Sequence, residues 1–180
     1  RSEDALNIVR SKFELKNVTI KDTTSDAFDS DFSNGIVESS VFVNIGSQGG
    51  GDGIDVSGSE VTVTQTIFEN ISDKALSVGE GSQMKASGLS IKNVSIGAAS
   101  KDGSTLYLSD SILIGIKKAG LMAYIKKSEY GPAEITADGL NFSSTEKQAI
   151  SQMGNKIIID GVEVSPEDLQ VKELYKSTST

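Results

Sequence analysis

The sequence contains no cysteine and no histidine. No disulfide framework can therefore hold the fold. Any site must also do without the commonest general base and metal ligand. Arginine occurs only at Arg1 and Arg10, so lysine carries nearly all of the positive charge. Proline is limited to 2 residues, and runs of Ala, Leu and Glu that favour helices are nearly missing. No apolar run approaches the ~18 residues of a membrane span, and no stretch of the sequence reads as a signal peptide, as expected of a mature form or of an excised part of something longer. Positive charge is in deficit: 17 Lys and Arg against 25 Asp and Glu give a net charge of −8. That balance disfavours non-specific nucleic-acid binding and admits divalent cations or a cationic partner.

What is abundant is strand and turn chemistry. Glycine numbers 18 in 180 residues, and Ser, Thr, Val, Ile and Asn dominate the rest. The apolar residues recur with a period. One column is Ile20, Phe42, Phe68, Ile91, Leu113, Phe142 and Val164, with steps of 22, 26, 23, 22, 29 and 22. A second is Leu15, Val37, Val63, Ala86, Leu108, Ala137 and Ile159, with the same six steps. A third runs Leu6, Phe28, Ile54, Leu76, Ala99 or the residue next to it, Leu121 and Ile150. Within a coil the columns lie 8, 9 and 5 residues apart, which sum to 22. Extra residues enter only in the connections, as a solenoid tolerates. Four are in the glycine-rich stretch Gly46–Gly53, one lies between Leu76 and Ala86, and seven fall within Tyr124–Pro132.

Each column sits in a short alternating stretch, such as Val61-Thr-Val63-Thr64. A single coil cannot bury its own apolar face. Stacking coils ~4.8 Å apart builds a continuous core and satisfies the backbone. The pattern therefore predicts an all-β parallel solenoid of about seven coils over residues 1–164, with three short strands per coil. Asn44, Asn70 and Asn93 share one position with Asp22, two residues after a core residue. A turn in the left-handed region suits that column. Ser165-Pro-Glu-Asp168 reads as a helix start. Residues 165–180 are thus expected to form a cap helix and tail, with Leu169 and Leu174 laid over the last coil. No comparable cap precedes Leu6, so an upstream domain or partner chain is expected to cover the first coil.

The phrases Asp26-Ala-Phe-Asp-Ser-Asp31, Val37-Glu-Ser-Ser-Val-Phe-Val-Asn-Ile45, Asp52-Gly-Ile-Asp-Val-Ser57 and Ile67-Phe-Glu-Asn-Ile71 resemble the right-handed parallel β-helix repeats of the pectate-lyase-like superfamily. Right-handedness is what this resemblance implies. The superfamily includes polysaccharide lyases, glycoside hydrolases, uronate epimerases and non-catalytic scaffolds, so the fold alone does not choose an activity. Neither the Asp-Pro-His-Asp of alginate epimerases nor the Gly-His-Gly of polygalacturonases is present.

Side chains following the third column should stack outward. Asp29 and Asp55 are then about 5 Å apart, with Asp31 beside them and Asp26 and Asp52 in the adjoining turns. A raised carboxyl pKa, a bridging cation or plain screening could each make such a patch tolerable. A candidate Ca²⁺ site is Asp26, Asp29, Asp52 and Asp55. The insertion adds Tyr124, Lys126, Lys127 and Tyr130, and with Lys101 it suits an anionic sugar. The candidate ligand residues are thus Asp29, Asp31, Asp55, Lys101, Tyr124, Lys126, Lys127 and Tyr130. They point to an acidic polysaccharide held along the solenoid face of a secreted or cell-envelope protein. If catalytic, the chemistry would be of lyase, epimerase or hydrolase type. The alternative is a non-catalytic scaffold within a larger protein.

Overall fold

The structure is a computed structural model that describes residues 4–176, with side chains as far as Glu173. The chain winds into a parallel solenoid of about seven coils. Three walls enclose the core, each named here for its first core residue. The Leu6 wall holds strands Leu6–Val9, Phe28–Asp31, Ile54–Ser57, Ala119–Tyr124 and Ala149–Ser151. The Leu15 wall holds Lys12–Lys16, Asn34–Glu38, Glu60–Thr64, Gln83–Ser87, Thr105–Ser109, Glu134–Asp138 and Lys156–Ile159. The Ile20 wall holds Thr19–Lys21, Val41–Ile45, Ile112–Ile114 and Asn141–Ser143. Two long strands, Ile67–Gly79 and Ser90–Lys101, run through the corner between the Ile20 and Leu6 walls and join them into one sheet.

The pairing follows the repeat. Leu15, Val37, Val63, Ala86, Leu108, Ala137 and Ile159 stand in register down the Leu15 wall. Ile20, Phe42, Phe68, Ile91, Leu113 and Phe142 do the same down the Ile20 wall. Phe42 and Phe68 stack one coil apart, with ring centroids separated by 5.1 Å. Polar ladders bind the corners. Asn44, Asn70 and Asn93, with Asp22, all have φ near 55° as the sequence predicts. Each Asn amide donates to the side-chain oxygen of the preceding member, at 2.9, 3.1 and 2.7 Å. A serine ladder escaped the sequence reading. The hydroxyls of Ser33, Ser59, Ser82 and Ser104 each accept the backbone N–H of the equivalent residue one coil earlier, at 3.0 to 3.1 Å.

Three expectations are corrected. The Leu6 column continues through Ala98 and Ala149, not Ala99 and Ile150. At Ala98 the cause is a bulge at the corner, and at Ala149 the step from Phe142 is likewise one residue shorter than that from Leu113 to Leu121. Ile71 to Lys74 in one long strand is matched by Val94 to Ile96 in the next, one residue fewer. Because side chains alternate, that single residue exchanges inside for outside. Ala99 and Ile150 therefore face outward, and Ser100 turns inward.

Val164 does not extend the Ile20 column either. After Ile159 the chain reverses into an antiparallel pair, Val162–Glu163 on Lys156–Ile159, and Val164 donates to the Ile157 carbonyl at 2.8 Å. The helix, too, starts later than the Ser-Pro signal implies, at Val171, and runs to Lys176. Glu167 instead bridges to Gln152 as an added edge strand. Its N–H reaches the Ser151 carbonyl at 2.8 Å, and its carbonyl accepts the Met153 N–H at 3.1 Å. Unpaired groups on the last strand edge capture the segment before helix can begin. Leu169 packs on the outer side of the Leu6 wall, not across the solenoid end. Leu174 lies outside the described side chains.

Candidate functional site: the outer face of the Leu6 wall

Three outward columns run down the Leu6 wall. Two residues before the core position stand Asp26, Asp52, Lys74, Ile96 and Ala119. One residue after it stand Asp29, Asp55, Ser77, Ala99, Met122 and Ile150. Three residues after it come Asp31, Ser57, Gly79, Lys101 and Tyr124. The face is therefore divided. Its early coils are carboxylate and its late coils are apolar. Ile96, Ala99, Ala119, Met122, Tyr124 and Ile150 form a second buried cluster, closed over by Leu169 and Val171. Lysines mark the boundary between the halves.

The acidic half is tightly knit. Asp26 accepts the Asp52 N–H at 2.6 Å, and Asp52 accepts the Lys74 N–H at 2.9 Å. The Lys74 ammonium, 3% exposed, lies 3.4 Å from Asp52 and 2.5 Å from Asp73. Gly46–Gly53 makes room for this. The Gly53 N–H donates to the Lys74 carbonyl at 2.8 Å, and a Cβ on Gly53 would stand 2.7 Å from the Ala75 carbonyl oxygen. In the next column Asp29 accepts from the Asn7 amide at 3.1 Å. Lys101, 7% exposed, folds back across Gly79 to place its ammonium 3.6 Å from Asp55. Glycine at 79 permits that path, since a Cβ there would stand 2.8 Å from the Lys101 Cε.

These carboxyls are hard to ionise. Burial, reinforced by the facing charge of Asp52, pushes Asp26 up to about 7. Burial, reinforced by Asp31 and Asp55, likewise pushes Asp29 up to about 7. Burial also raises Asp52 and Asp55, against the pull of Lys74 on the first and Lys101 on the second. Asp26 and Asp29 can thus exchange a proton near neutral pH, which is the property a general acid or base needs.

The loop after Tyr124 closes one side. Lys127 pairs with Glu80, and this contact together with a Ser57 hydrogen bond outweighs burial and holds the Glu80 carboxyl low. Lys126 is exposed at the rim. Its ammonium is pushed down by burial of its surroundings and by Lys101 and Lys74, while Asp55 pulls it up. Lys126 therefore belongs to the same electrostatic group as the wall lysines.

Of the sequence-predicted residues, the structure gathers Asp26, Asp29, Asp31, Asp52, Asp55, Lys101 and Lys126 on one face. Lys127 is turned to Glu80. Tyr130 is 45% exposed at the loop tip, whereas Tyr124 is 1% exposed. Tyr124 is thus a packed wall residue and offers no ring as a platform, because its outward column is the one the C-terminal segment covers. Lys117 lines a separate hollow with Asn44, Asn70 and Asn93 on the Ile20 side. Sequence reasoning missed Lys74 and Glu80. The repeat carried the signal for Lys74, two residues before Leu76 as Asp52 is before Ile54. Among the described residues, no three acidic side chains converge to hold one metal ion.

The chain matches the family of right-handed β-helix regions over residues 5–165. It belongs to that family, and the handedness of its coils follows. No curated protein matches the sequence closely. Among the described residues no helix is long and apolar enough to cross a membrane.

Proposed function

We propose that this β-helix domain is carbohydrate-directed and holds a stretch of acidic polysaccharide across the Leu6 wall, between Asp29 and Lys126. Asp29 supplies a proton-exchanging carboxyl, and Asp55, its pKa raised by burial against the pull of Lys101, stands one coil step away. That step of about 4.8 Å is close to the ~5–5.5 Å of paired carboxyls in retaining glycosidases. Lys101 and Lys126 receive the anionic groups of the ligand. The observation that carries the reading is electrostatic. The outer side of a solenoid wall needs no charge to stack, yet this one holds four aspartates with raised pKa around two buried lysines. Perturbed groups of this kind cluster at functional sites.

Lys74 pairs with Asp52 and Lys101 with Asp55, so each of these two carboxylates already has a cation beside it. The reading therefore needs no resident Ca²⁺, and melting in Ca²⁺ or in EDTA should give the same midpoint. A Ca²⁺-dependent rise that D29N abolishes would restore the metal.

A panel of neutral and acidic oligosaccharides tests the proposal, read by binding, by new reducing ends and by ultraviolet absorbance of unsaturated products. Uronate-containing oligomers should bind, and D55N should weaken them at least tenfold. A second reading, a scaffold with no ligand, is favoured by the internal pairing of Asp52 with Lys74 and of Asp55 with Lys101. Retention of no saccharide on the panel would decide for it.

A further inference from the structure

Lysine side chains on an outer wall usually keep the charged head in water. Lys74 does not. Its ammonium is buried, 3.4 Å from Asp52 Oδ1 in the coil before and 2.5 Å from Asp73 Oδ2. Asp52 is buried as well, and it is fixed from both sides. Its N–H donates to Asp26 Oδ1 at 2.6 Å, and its Oδ1 accepts the Lys74 N–H at 2.9 Å. The Asp73 side chain is more open, at 15% exposure. A primary amine is thus held between two carboxyls, one enclosed and one at the rim.

We propose that Lys74 and Asp52 are a self-cross-linking pair, joined by an amide between Lys74 Nζ and Asp52 Cγ, with Asp73 as the proton carrier. The ion pair is the unreacted state. Asp73 takes a proton from the ammonium and leaves a neutral amine. The amine lone pair attacks the carboxyl carbon of protonated Asp52, and the C–N bond forms. Asp73 then gives its proton to the departing hydroxyl, which leaves as water as the C–O bond breaks. It takes the surplus proton from the new amide nitrogen and releases it to solvent. Burial favours each neutral reactant. It raises the Asp52 carboxyl, and it disfavours a charged ammonium. A buried ion pair keeps two desolvated charges, whereas the amide keeps none. Proximity is already supplied, because Nζ stands 3.4 Å from the carboxyl oxygen and the carbon is at most one bond length further. The link would tie residues 22 apart across one coil step. A disulfide constrains the unfolded chain in the same way, and this chain has no cysteine to make one. Asp29, Asp55 and Lys101 take no part, so the link is independent of the saccharide reading.

Intact-mass spectrometry of the full chain, folded and held near neutral pH, tests this. A fraction lighter than the sequence mass by one water should grow with time. Digestion of that fraction should give a branched peptide joining Asp52 to Lys74. K74R keeps the charge between the two carboxyls but offers no amine, so it should stay at full mass. D73N should slow the loss by at least roughly tenfold, as expected of a removed proton carrier. The parent and K74R decide the matter between them if D73N does not fold. Asp52 precedes Gly53, so the same water could also be lost by closing a succinimide on the Gly53 nitrogen. That route needs no lysine. A loss that persists in K74R, or one without the branched peptide, would therefore overturn the proposal. So would a folded parent that stays at its full sequence mass. Freshly folded, unlinked chain is the reference for the stability of Lys74 variants.

Discussion

At the residue scale, the acidic face is a set of side chains held against their own ionisation. Asp29 has a folded pKa of about 7 against an ordinary 3.8. The folded state therefore binds the proton more tightly than the unfolded one. Stability is undiminished below pH 3.8, falls through the window up to about 7, and stays reduced above it. D29N removes the carboxylate that carries this cost. At pH about 8 it should stabilise by about 1–2 kcal/mol, discounted because the group is partly solvated, and below the ordinary aspartate pKa it should do nothing. Thermal melts across the range check this, and a gain independent of pH would contradict it. Lys74 makes the opposite case. Removing a buried ammonium strands Asp52 and Asp73, so K74A should cost about 3–5 kcal/mol by urea midpoint. D52L with K74M should recover most of that loss. A K74A variant as stable as the parent would show that the pair is not buried in solution.

At the element scale, the C-terminal segment is an extra strand edge followed by a short helix. It covers apolar side chains that face outward. Met122 and Tyr124 are there because their strand, Ala119–Tyr124, is buried on both faces. Among the described residues, Leu169 and Val171 are the partly buried hydrophobics packed on that second cluster. Ending the chain after Val164 should therefore cost about 2–4 kcal/mol, from re-exposing two or three such side chains. It should also create binding of a hydrophobic dye. An unchanged melt without dye binding would mean that the segment does not dock. The same cover explains why Tyr124 cannot serve a ligand while Lys101, one coil earlier in the same column, can.

At the scale of the whole molecule, the solenoid sorts its outer chemistry along its length. Each coil contacts only its neighbours, so stability is a sum of local terms. One wall can then be acidic in its early coils and apolar in its late ones without disturbing the core beneath. The Leu6 wall does this, with lysines at the junction and one loop folded over it. The Leu15 and Ile20 walls carry mixed charge and polar ladders. Their exposed pairs, such as Lys16 with Glu38 at 3.6 Å, contribute little.

The repeat was legible because a parallel stack demands an inward apolar residue at each coil, and spacing records that demand directly. Two of three columns, the Asn turns and the Asp29–Asp55 juxtaposition could therefore be read from the chain. The bulge near Ser95 could not, since it removes one residue between apolar neighbours that look equally suited to the core. That ambiguity moved Ser100 inward and put Lys101 in the outward column that leads back to Asp55. The C-terminal segment was misread for a related reason. Its Ser-Pro signal is local, and the unpaired strand edge that overrides it lies in another coil. Order along the chain determined that this protein is a β-helix with stacked aspartates. Only the folded stack decided which lysines meet those aspartates, because pairing across coils depends on a register that one residue can reverse.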